Sequence, residues 1–439
     1  MTAWLATGIL FGGLIVGLLL ALPMAFTLAS SAIITALFVM GPNALALFAT
    51  NIWAVMVKLS FVAIPLFIFM ACMLEKIGVA EALYDAMHQW LGSLRGGLAM
   101  GTVIICTVIA AMSGVVATGV VTMGIIALPI MLQKKYSKSI AIGPILAGGA
   151  LGTLIPPSVS FIIYGVLTKT SIGRLFAGGL IPGLVLSSLY LSYIAISCWL
   201  KPELAPALPK AERSSFKGKV ASSRGLILPI LLITAVLGSI FAGIASPTES
   251  AAVGAFGAIL CGVVHRKLSW SLLKETCYRA ILVSGMVMWI MFGAFCFTSV
   301  FISTGGPEII KGFILGLELS PISYILMMML SYFILGCLVD ETTMLFVTIP
   351  VYMPILISLG FDPVWFGVLF IISMQIAYLT PPFGWSLFYM RGVAPPTVKI
   401  SDIYRSILPF IGLQWIGLLL VLFFPQLALW LPDIVFGLK

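Results

Sequence analysis

Two adjacent prolines, Pro156 and Pro157, interrupt a run of apolar residues that is long enough to span a bilayer. Each proline lacks an N–H group, so the carbonyls four residues earlier, those of Gly152 and Thr153, lose their helical donors. The interior of a bilayer offers no replacement donor. We therefore expect a broken helix at membrane depth, with free carbonyl oxygens that bind a neighbouring protein group, an ion or a substrate.

The same break recurs 225 residues later, at Pro381 and Pro382. A further proline precedes each break by 27 positions, at Pro129 and Pro354. Proline-broken apolar segments at matching positions in two halves of a chain indicate the binding site of a secondary transporter with internal repeats. The pattern therefore predicts two related halves, each with one broken helix.

The composition is typical of a helical membrane protein. Hydrophobic residues make up 61% of the 439 residues and charged residues only 8%, whereas about a quarter of the residues in a soluble protein are charged. Apolar runs long enough to span a bilayer recur from end to end. The sequence contains no nucleophile–base pair, metal-ligand cluster or phosphate-binding loop, so we do not expect an enzyme.

Two pairs of apolar segments, 97–133 and 320–359, are each joined at a polar tip. The first tip is Ser113-Gly114, and the second begins at Asp340. We expect both pairs to be re-entrant helical hairpins, each followed by a proline-broken helix. The other predicted segments are spans at 4–24, 26–40, 51–74, 176–199, 223–245, 249–264, 280–303 and 403–431, broken helices at 139–165 and 362–390, an interfacial helix at 78–93, a polar connector at 266–279 and a turn at 305–307.

The basic residues predict the orientation of the chain. With loop 201–224 in the cytoplasm and both hairpins re-entrant, 18 of the 23 lysines and arginines fall on the cytoplasmic side, as the positive-inside rule requires. The two hairpins then enter from opposite sides, so the halves are inverted repeats. This orientation accounts for the net charge of +9 without a nucleic-acid partner. Segment 4–22 is predicted to be a span and not a cleavable signal, which leaves both termini periplasmic.

Oxygen atoms dominate the polar groups at the tips and breaks. Main-chain carbonyls and the hydroxyls of Thr153, Ser158 and Thr380 suit hard monovalent cations better than transition metals. The half-helix that begins after each break also presents N–H groups to an anion. The alternative interpretations are close packing of small residues at the first tip and a purely structural kink at each break.

The second tip carries two adjacent carboxylates, Asp340 and Glu341, within an apolar stretch. Ionisable groups at membrane depth are costly and usually functional, so these acids could attract a cation or accept a proton. They could equally cap the helix that follows. Residues expected to contact the substrate lie at both tips and both breaks: Gly114, Thr118, Pro157, Ser158, Asp340, Thr342, Thr343, Pro382 and Gly384.

Taken together, four motifs resemble those of the large membrane subunit of TRAP (tripartite ATP-independent periplasmic) transporters of the DctM type. The resemblance extends over essentially the whole chain. It implies a sodium-driven secondary transporter of the bacterial inner membrane that imports organic anions by an elevator mechanism, with a periplasmic substrate-binding protein and a small four-helix membrane subunit as partners. The motifs are Ala63-Ile64-Pro65-Leu66-Phe67-Ile68, Gly152-x-Leu154-Ile155-Pro156-Pro157-Ser158, Gly243-Ile244-x-x-Pro247-Thr248-Glu249 and Leu379-Thr380-Pro381-Pro382-x-Gly384.

The resemblance also implies sodium ions as the coupling ions, no organic cofactor, and two sodium sites. Val115 and Val116 stand where members often have small polar residues, and Ala377 stands where a glycine is common. At these positions only the backbone carbonyls could bind sodium. The implied residues are Ser113, Val116, Gly152, Ile155 and Pro156 for the first site, and Gly336, Ala377, Thr380 and Phe383 for the second.

The family architecture implies a division into scaffold and transport segments. Two alternatives stay open: a stand-alone sodium- or proton-coupled dicarboxylate symporter, and a channel or structural membrane subunit. The implied segments are 1–93 (first scaffold spans and interfacial arm helix), 94–175 (first half of the transport domain), 176–303 (scaffold with cytoplasmic loop 200–222 and connector 266–279), 304–400 (second half of the transport domain) and 401–439 (C-terminal span).

Overall fold

The structure, a computed structural model, describes residues 3–209, 215–381 and 384–437. Within these ranges the chain forms α-helices and short 3-10 turns, and no β-strand. Seven of the described helices are long and apolar enough to cross a membrane. These observations confirm the predicted all-α polytopic membrane protein. The predicted site residues Pro382 and Phe383 lie outside the described residues.

The first half contains the predicted hairpin and broken helix. The predicted span 51–74 is interrupted at Lys58, whose ammonium lies 5.9 Å and 5.6 Å from the ring centroids of Phe61 and Phe295. The helices are α1 (Ala3–Leu19), α2 (Met24–Val39), α3 (Leu45–Met56), α4 (Ala63–Lys76), α5 (Val79–Leu91), α6 (Gly97–Ser113), α7 (Val116–Gln133), α8 (Lys138–Ala150), α9 (Val159–Thr168) and α10 (Ile172–Leu200).

The second half repeats this succession. From α14 to α20, as from α4 to α10, a helix is followed by a short helix, a hairpin, a broken helix and a long helix. This is the predicted inverted-repeat fold. The helices are α11 (Phe216–Ser223), α12 (Ile227–Phe241), α13 (Pro247–Val264), α14 (Trp270–Ser303), α15 (Gly306–Leu315), α16 (Pro321–Gly336), α17 (Glu341–Ser358), α18 (Pro363–Leu379), α19 (Trp385–Val393), α20 (Ile400–Phe423) and α21 (Gln426–Phe436).

Two predicted boundaries in the second half are wrong. The separate connector at 266–279 does not exist, because α14 begins at Trp270, capped by the Ser269 hydroxyl, and continues unbroken into the span. The predicted turn at 305–307 is the start of α15, which has proline in its first turn, where the missing N–H costs nothing. Helix α15 occupies the place in the second half that the interfacial helix α5 occupies in the first.

The last predicted span, 403–431, is also two helices. Helix α20 ends at Phe423, and Pro425 precedes α21. Pro425 has no N–H with which to continue α20, and the helix ends two residues before it.

The hairpins and broken helices form one packed group with α10 and α20. Helix α8 lies against α6, α7 and α20, while α18 lies against α10, α16 and α20. We call helices α6–α10 and α16–α20 the hairpin unit, and α1–α5 with α12–α15 the framework. The implied division places α10 with the scaffold and α20 apart. In the structure, α10 contacts α6 and α18, and α20 contacts α8 and α18. The framework meets this unit where α4 and α5 contact α6 and where α14 and α15 contact α17.

Candidate functional site

The first hairpin tip is a tight turn made by one glycine. Helix α6 ends at Ser113, and Gly114 takes a left-handed conformation with φ of 62°. Such a conformation is open to glycine and strained for other residues. Val115 is then extended, and α7 begins at Val116. The chain therefore reverses within two residues, at a tip where Ser113 and Gly114 are buried.

This tip is pressed against the first proline break. A Cβ atom on Gly114 would lie 2.4 Å from the carbonyl oxygen of Pro157, and one on Gly152 would lie 3.0 Å from the carbonyl oxygen of Val115. Only backbone without side chains permits this approach. The structure thus brings the two parts of the first predicted sodium site together: Ser113 and Val116 from the tip, and Gly152, Ile155 and Pro156 from the break.

Of the two carbonyls that lose their helical donors to the prolines, one has a new donor and the other does not. Ser158 Oγ donates to the Thr153 carbonyl at 2.5 Å and also accepts from the N–H of Phe161 at 3.4 Å as the N-cap of α9. Of the partners predicted for the Thr153 carbonyl, the structure shows a neighbouring protein group, because a hydroxyl inside the break replaces the lost donor. No described residue donates to the Gly152 carbonyl. Of the two carbonyls that lose their helical donors, Gly152 thus provides the free oxygen.

A Pro156→Ala variant is expected to bind sodium more weakly while still inserting into the membrane. The new alanine would supply an N–H four residues after Gly152, and this donor would compete with an ion for the free carbonyl. One such hydrogen bond contributes about 1 kcal/mol, which corresponds to a rise of about fivefold in the sodium concentration at half-maximal uptake. Pro144→Ala, inside α8, is the matched control. Unchanged sodium affinity in Pro156→Ala would show that the break is only a kink.

The second hairpin meets the second broken helix just before its break. A Cβ atom on Gly336, at the end of α16, would lie 2.7 Å from Cβ of Ala377 in α18. Thr380 follows directly after α18; its N–H donates to the Ala377 carbonyl at 3.1 Å, and its Oγ1 donates to the Ile376 carbonyl at 2.7 Å. Gly384, on the far side of the break, packs against the Tyr378 carbonyl. The described members of the second predicted sodium site are therefore neighbours.

The two acids of the second tip have separate roles. Asp340 is the N-cap of α17: its Oδ2 accepts from the N–H of Thr343 at 3.1 Å, and its Oδ1 accepts from the Thr343 hydroxyl at 2.5 Å. Glu341 is only 7% exposed; its Oε2 accepts from the Tyr378 hydroxyl, and its Oε1 has no partner among the described residues. Of the two acids, Glu341 is the one with a free oxygen.

Sequence reasoning favoured Asp340 and left Glu341 out of the site. A usable signal was present, because Asp340 and Thr343 have the spacing of a helix cap and its partner in the first turn. That pattern predicts that Asp340 caps the first turn of the helix, and it leaves the Glu341 carboxylate available for another role. Of the other predicted substrate residues, Thr342 is half-buried, and Ser158 and Thr343 are buried with their hydroxyls already bonded.

Thr118 lies at a narrow cleft between the first hairpin and the framework. With Ser113 and Thr122 it faces Ala71 and Glu75 of α4 across a cavity of about 10 Å³, which is room for no more than one water. The Glu75 carboxylate is paired with the Arg279 guanidinium at 3.0 Å. The cleft is therefore nearly closed in this conformation.

The chemistry of the described site is that of oxygen ligands. No group of three or more His, Cys, Asp or Glu side chains that could hold a metal ion occurs in the described part of the chain. Carbonyl and hydroxyl oxygens with little formal charge fit a hard monovalent cation. The free Gly152 carbonyl, next to the first hairpin tip, is an oxygen of this kind.

Comparison with known proteins places this architecture in one family. The family model "Tripartite ATP-independent periplasmic transporter, DctM component" matches residues 11–427. The C4-dicarboxylate TRAP transporter large permease protein DctM of Pseudomonas aeruginosa is 31% identical over 85% of this chain and 86% of its own length. The ectoine/5-hydroxyectoine TRAP transporter large permease protein UehC of Ruegeria pomeroyi is 32% identical over 98% of this chain and 99% of its own length.

A solved structure shares the fold. The YdaH transporter of Alcanivorax borkumensis, described as having an unusual topology, aligns with a TM-score of 0.57 at 17% identity over 92% of this chain and 90% of that chain. The relatives are transporter permeases, which agrees with the expectation that this chain is not an enzyme. The chain belongs to the DctM component family of the tripartite ATP-independent periplasmic transporters, as a multi-pass large permease.

Proposed function

We propose that this chain is the large membrane subunit of a sodium-coupled importer of a small organic anion in the bacterial inner membrane. The observation that carries the proposal is the free Gly152 carbonyl beside the first hairpin tip. The Thr153 carbonyl, which also loses its helical donor, is already bonded to Ser158. A bare carbonyl at membrane depth requires a partner, and a sodium ion is a suitable one. The similar contact of Gly336 with Ala377 supports a second ion site.

The proposed sodium ligands are mostly backbone oxygens at the two tip-and-break contacts. The first ion would be held by Ser113, Val116, Gly152, Ile155 and Pro156. The second ion would be held by Gly336, Ala377 and Thr380, together with Phe383, which lies outside the described residues. Because these ligands lie on separate helices of each half, a bound ion would stabilise the contact between a hairpin and its broken helix.

The proposed substrate is a carboxylate-bearing solute that binds where four half-helices begin. Helices α7, α9, α17 and α19 each start at a tip or a break, and their first N–H groups favour an anion. The names of two relatives include C4-dicarboxylate and ectoine, both of which carry carboxylate. The residues proposed to surround the substrate are Gly114, Thr118, Pro157 and Ser158 in the first half, and Asp340, Thr342, Thr343, Pro382 and Gly384 in the second.

An elevator movement is the proposed mechanism of access. The hairpin unit packs extensively within itself and meets the framework through α4 and α5 in the first half and through α14 and α15 in the second. Such an arrangement supports rigid-body movement of one packed group against another. The cleft beside Thr118, where the first hairpin meets α4, lies at the interface that such a movement would open.

The word "tripartite" in the family description supports two partners, proposed here as a periplasmic binding protein and a small four-helix membrane subunit. The test is uptake of a panel of labelled dicarboxylates, sugar acids and ectoines into proteoliposomes, with each partner present or omitted. We expect uptake only with both partners. Equal uptake by the large subunit alone would contradict the tripartite proposal and favour a stand-alone symporter.

Proton coupling is a second candidate, favoured by the buried Glu341 carboxyl with its free oxygen. Under the sodium proposal, a Glu341→Gln variant is expected to change sodium-driven uptake by about twofold or less, because the amide oxygen can still accept from Tyr378. Uptake would be measured at fixed sodium over a range of pH. Loss of uptake in the variant, together with wild-type uptake driven by a pH gradient alone, would establish proton coupling instead.

A further inference from the structure

A chain of buried side chains connects the two proline breaks. Gln375 Nε2 donates to Thr153 Oγ1 at 3.3 Å, and Gln414 Nε2 donates to Gln375 Oε1 at 3.3 Å. Both glutamines are fully buried, and Thr153 is 4% exposed. Thr153 lies in the turn before the first break, Gln375 in α18 before the second break, and Gln414 in α20. The bond between Gln375 and Thr153 thus joins the two broken helices directly.

The direction of each hydrogen bond in this chain follows from its neighbours. Gln375 Oε1 accepts from Gln414, so the Nε2 group of Gln375 faces Thr153. Thr153 Oγ1 accepts that bond and directs its own proton to the Ala150 carbonyl at 3.3 Å. Both the Nε2 and the Oε1 groups of Gln375 therefore already have a hydrogen-bond partner. Gln375 is not among the proposed sodium ligands, so it would act on the ion sites through the residues that it holds.

The bond lies close to both proposed sodium sites. Thr153 adjoins Gly152, whose free carbonyl is a proposed ligand of the first ion. Gln375 precedes Ala377, a proposed ligand of the second ion, by two residues in the same helix. The turn that contains Thr153 and the helical turn from Gln375 to Ala377 are both hydrogen-bonded, so this bond would carry a shift at one site to the other.

We infer that Gln375 is a positioning residue that couples the two sodium sites, so that an ion in one site raises the affinity of the other. This inference rests on the proposed sodium sites. By linkage the effect must be equal in both directions, and couplings of this kind typically change affinity by roughly 5–150-fold. Sodium binding by the wild type is then cooperative, with a Hill coefficient above one.

A Gln375→Met variant tests the inference, because methionine matches glutamine in length and in helix preference but forms neither hydrogen bond. The purified complex would be titrated with sodium, with choline as the replacement ion, and its melting temperature recorded. Sodium that binds the folded state stabilises it by a free energy that grows with the logarithm of the sodium concentration. Fitting a two-site binding model to the shift in melting temperature therefore gives the two affinities and the Hill coefficient. We expect the Hill coefficient to fall towards one, and the sodium concentration at half-effect to rise by about fivefold or more.

Two further variants separate positioning from packing. Gln414→Met leaves the bond between Gln375 and Thr153 in place, and we expect it to keep cooperative binding. Thr153→Val removes the hydroxyl that accepts the hydrogen bond from Gln375, and this variant replaces Gln375→Met in the test if Gln375→Met does not fold. The double variant should lose no more cooperativity than either single variant, because both changes remove the same hydrogen bond.

The outcomes also distinguish this inference from the proposed function. Unchanged cooperativity in Gln375→Met and Thr153→Val would overturn the coupling role and leave the sodium sites standing. A Hill coefficient of one for sodium binding by the wild type would also overturn the coupling role. A wild type without any specific response to sodium would overturn the proposed sodium sites, and this inference with them.

Discussion

A Gly114→Val variant is expected to insert into the membrane yet to lose most sodium-dependent uptake. Gly114 has a φ of 62°, which is a strained backbone conformation for a residue with a side chain. The added Cβ would also lie 2.4 Å from the Pro157 carbonyl oxygen. The first hairpin tip and the first break would have to separate. A cost of about 1–3 kcal/mol at this contact corresponds to sodium binding weaker by roughly 5–150-fold.

The matched control for this variant is Gly360→Val. Gly360 also has a positive φ, 77°, but a Cβ atom there would meet nothing within 4 Å. This change introduces the backbone strain without the collision at the tip. The sodium concentration at half-maximal uptake would be compared for both variants, after size-exclusion chromatography has shown equal amounts of intact complex. Equal behaviour of the two would mean that the contact between tip and break has no part in ion binding.

A Gly336→Ala variant is expected to lose transport, and a second change should restore it. The new Cβ would lie 2.7 Å from Cβ of Ala377, closer than two methyl groups can approach. Replacing Ala377 by glycine as well removes the partner of this collision, so we expect the double variant to regain most of the uptake. Ala377→Gly alone should cost no more than about 1 kcal/mol of stability.

Uptake and the melting temperature would be measured for the two single variants and the double variant. A double variant as inactive as Gly336→Ala would contradict the proposed contact of the second hairpin with α18. Full activity of Gly336→Ala would contradict it as well.

The broken helices and hairpins could be predicted because their signals are local and strong. Proline removes a donor wherever it occurs, and a small polar tip between two apolar runs has few other interpretations in a membrane. The double prolines and the Ser113-Gly114 and Asp340 tips were therefore located from the sequence alone. Helix α15 was missed because a ten-residue amphipathic helix after a glycine pair resembles a loop.

The partners of the polar groups could not be predicted, because they depend on distant contacts. Ser158 bonds the Thr153 carbonyl across the break, and nothing in their spacing favours this over a bond to a ligand. Glu341 meets Tyr378 from another helix. Gln375 lies within an apolar run where it had no evident function, and only the packing of α18 against the first break brings it to Thr153.

The central claim is that sodium drives uptake through the two tip-and-break contacts. The most direct measurement is substrate uptake into proteoliposomes that contain the large subunit with both partners, under an imposed sodium gradient or an imposed proton gradient. We predict uptake with the sodium gradient at constant pH, and none with the proton gradient when choline replaces sodium. Uptake that is unaffected by removing sodium would contradict the account.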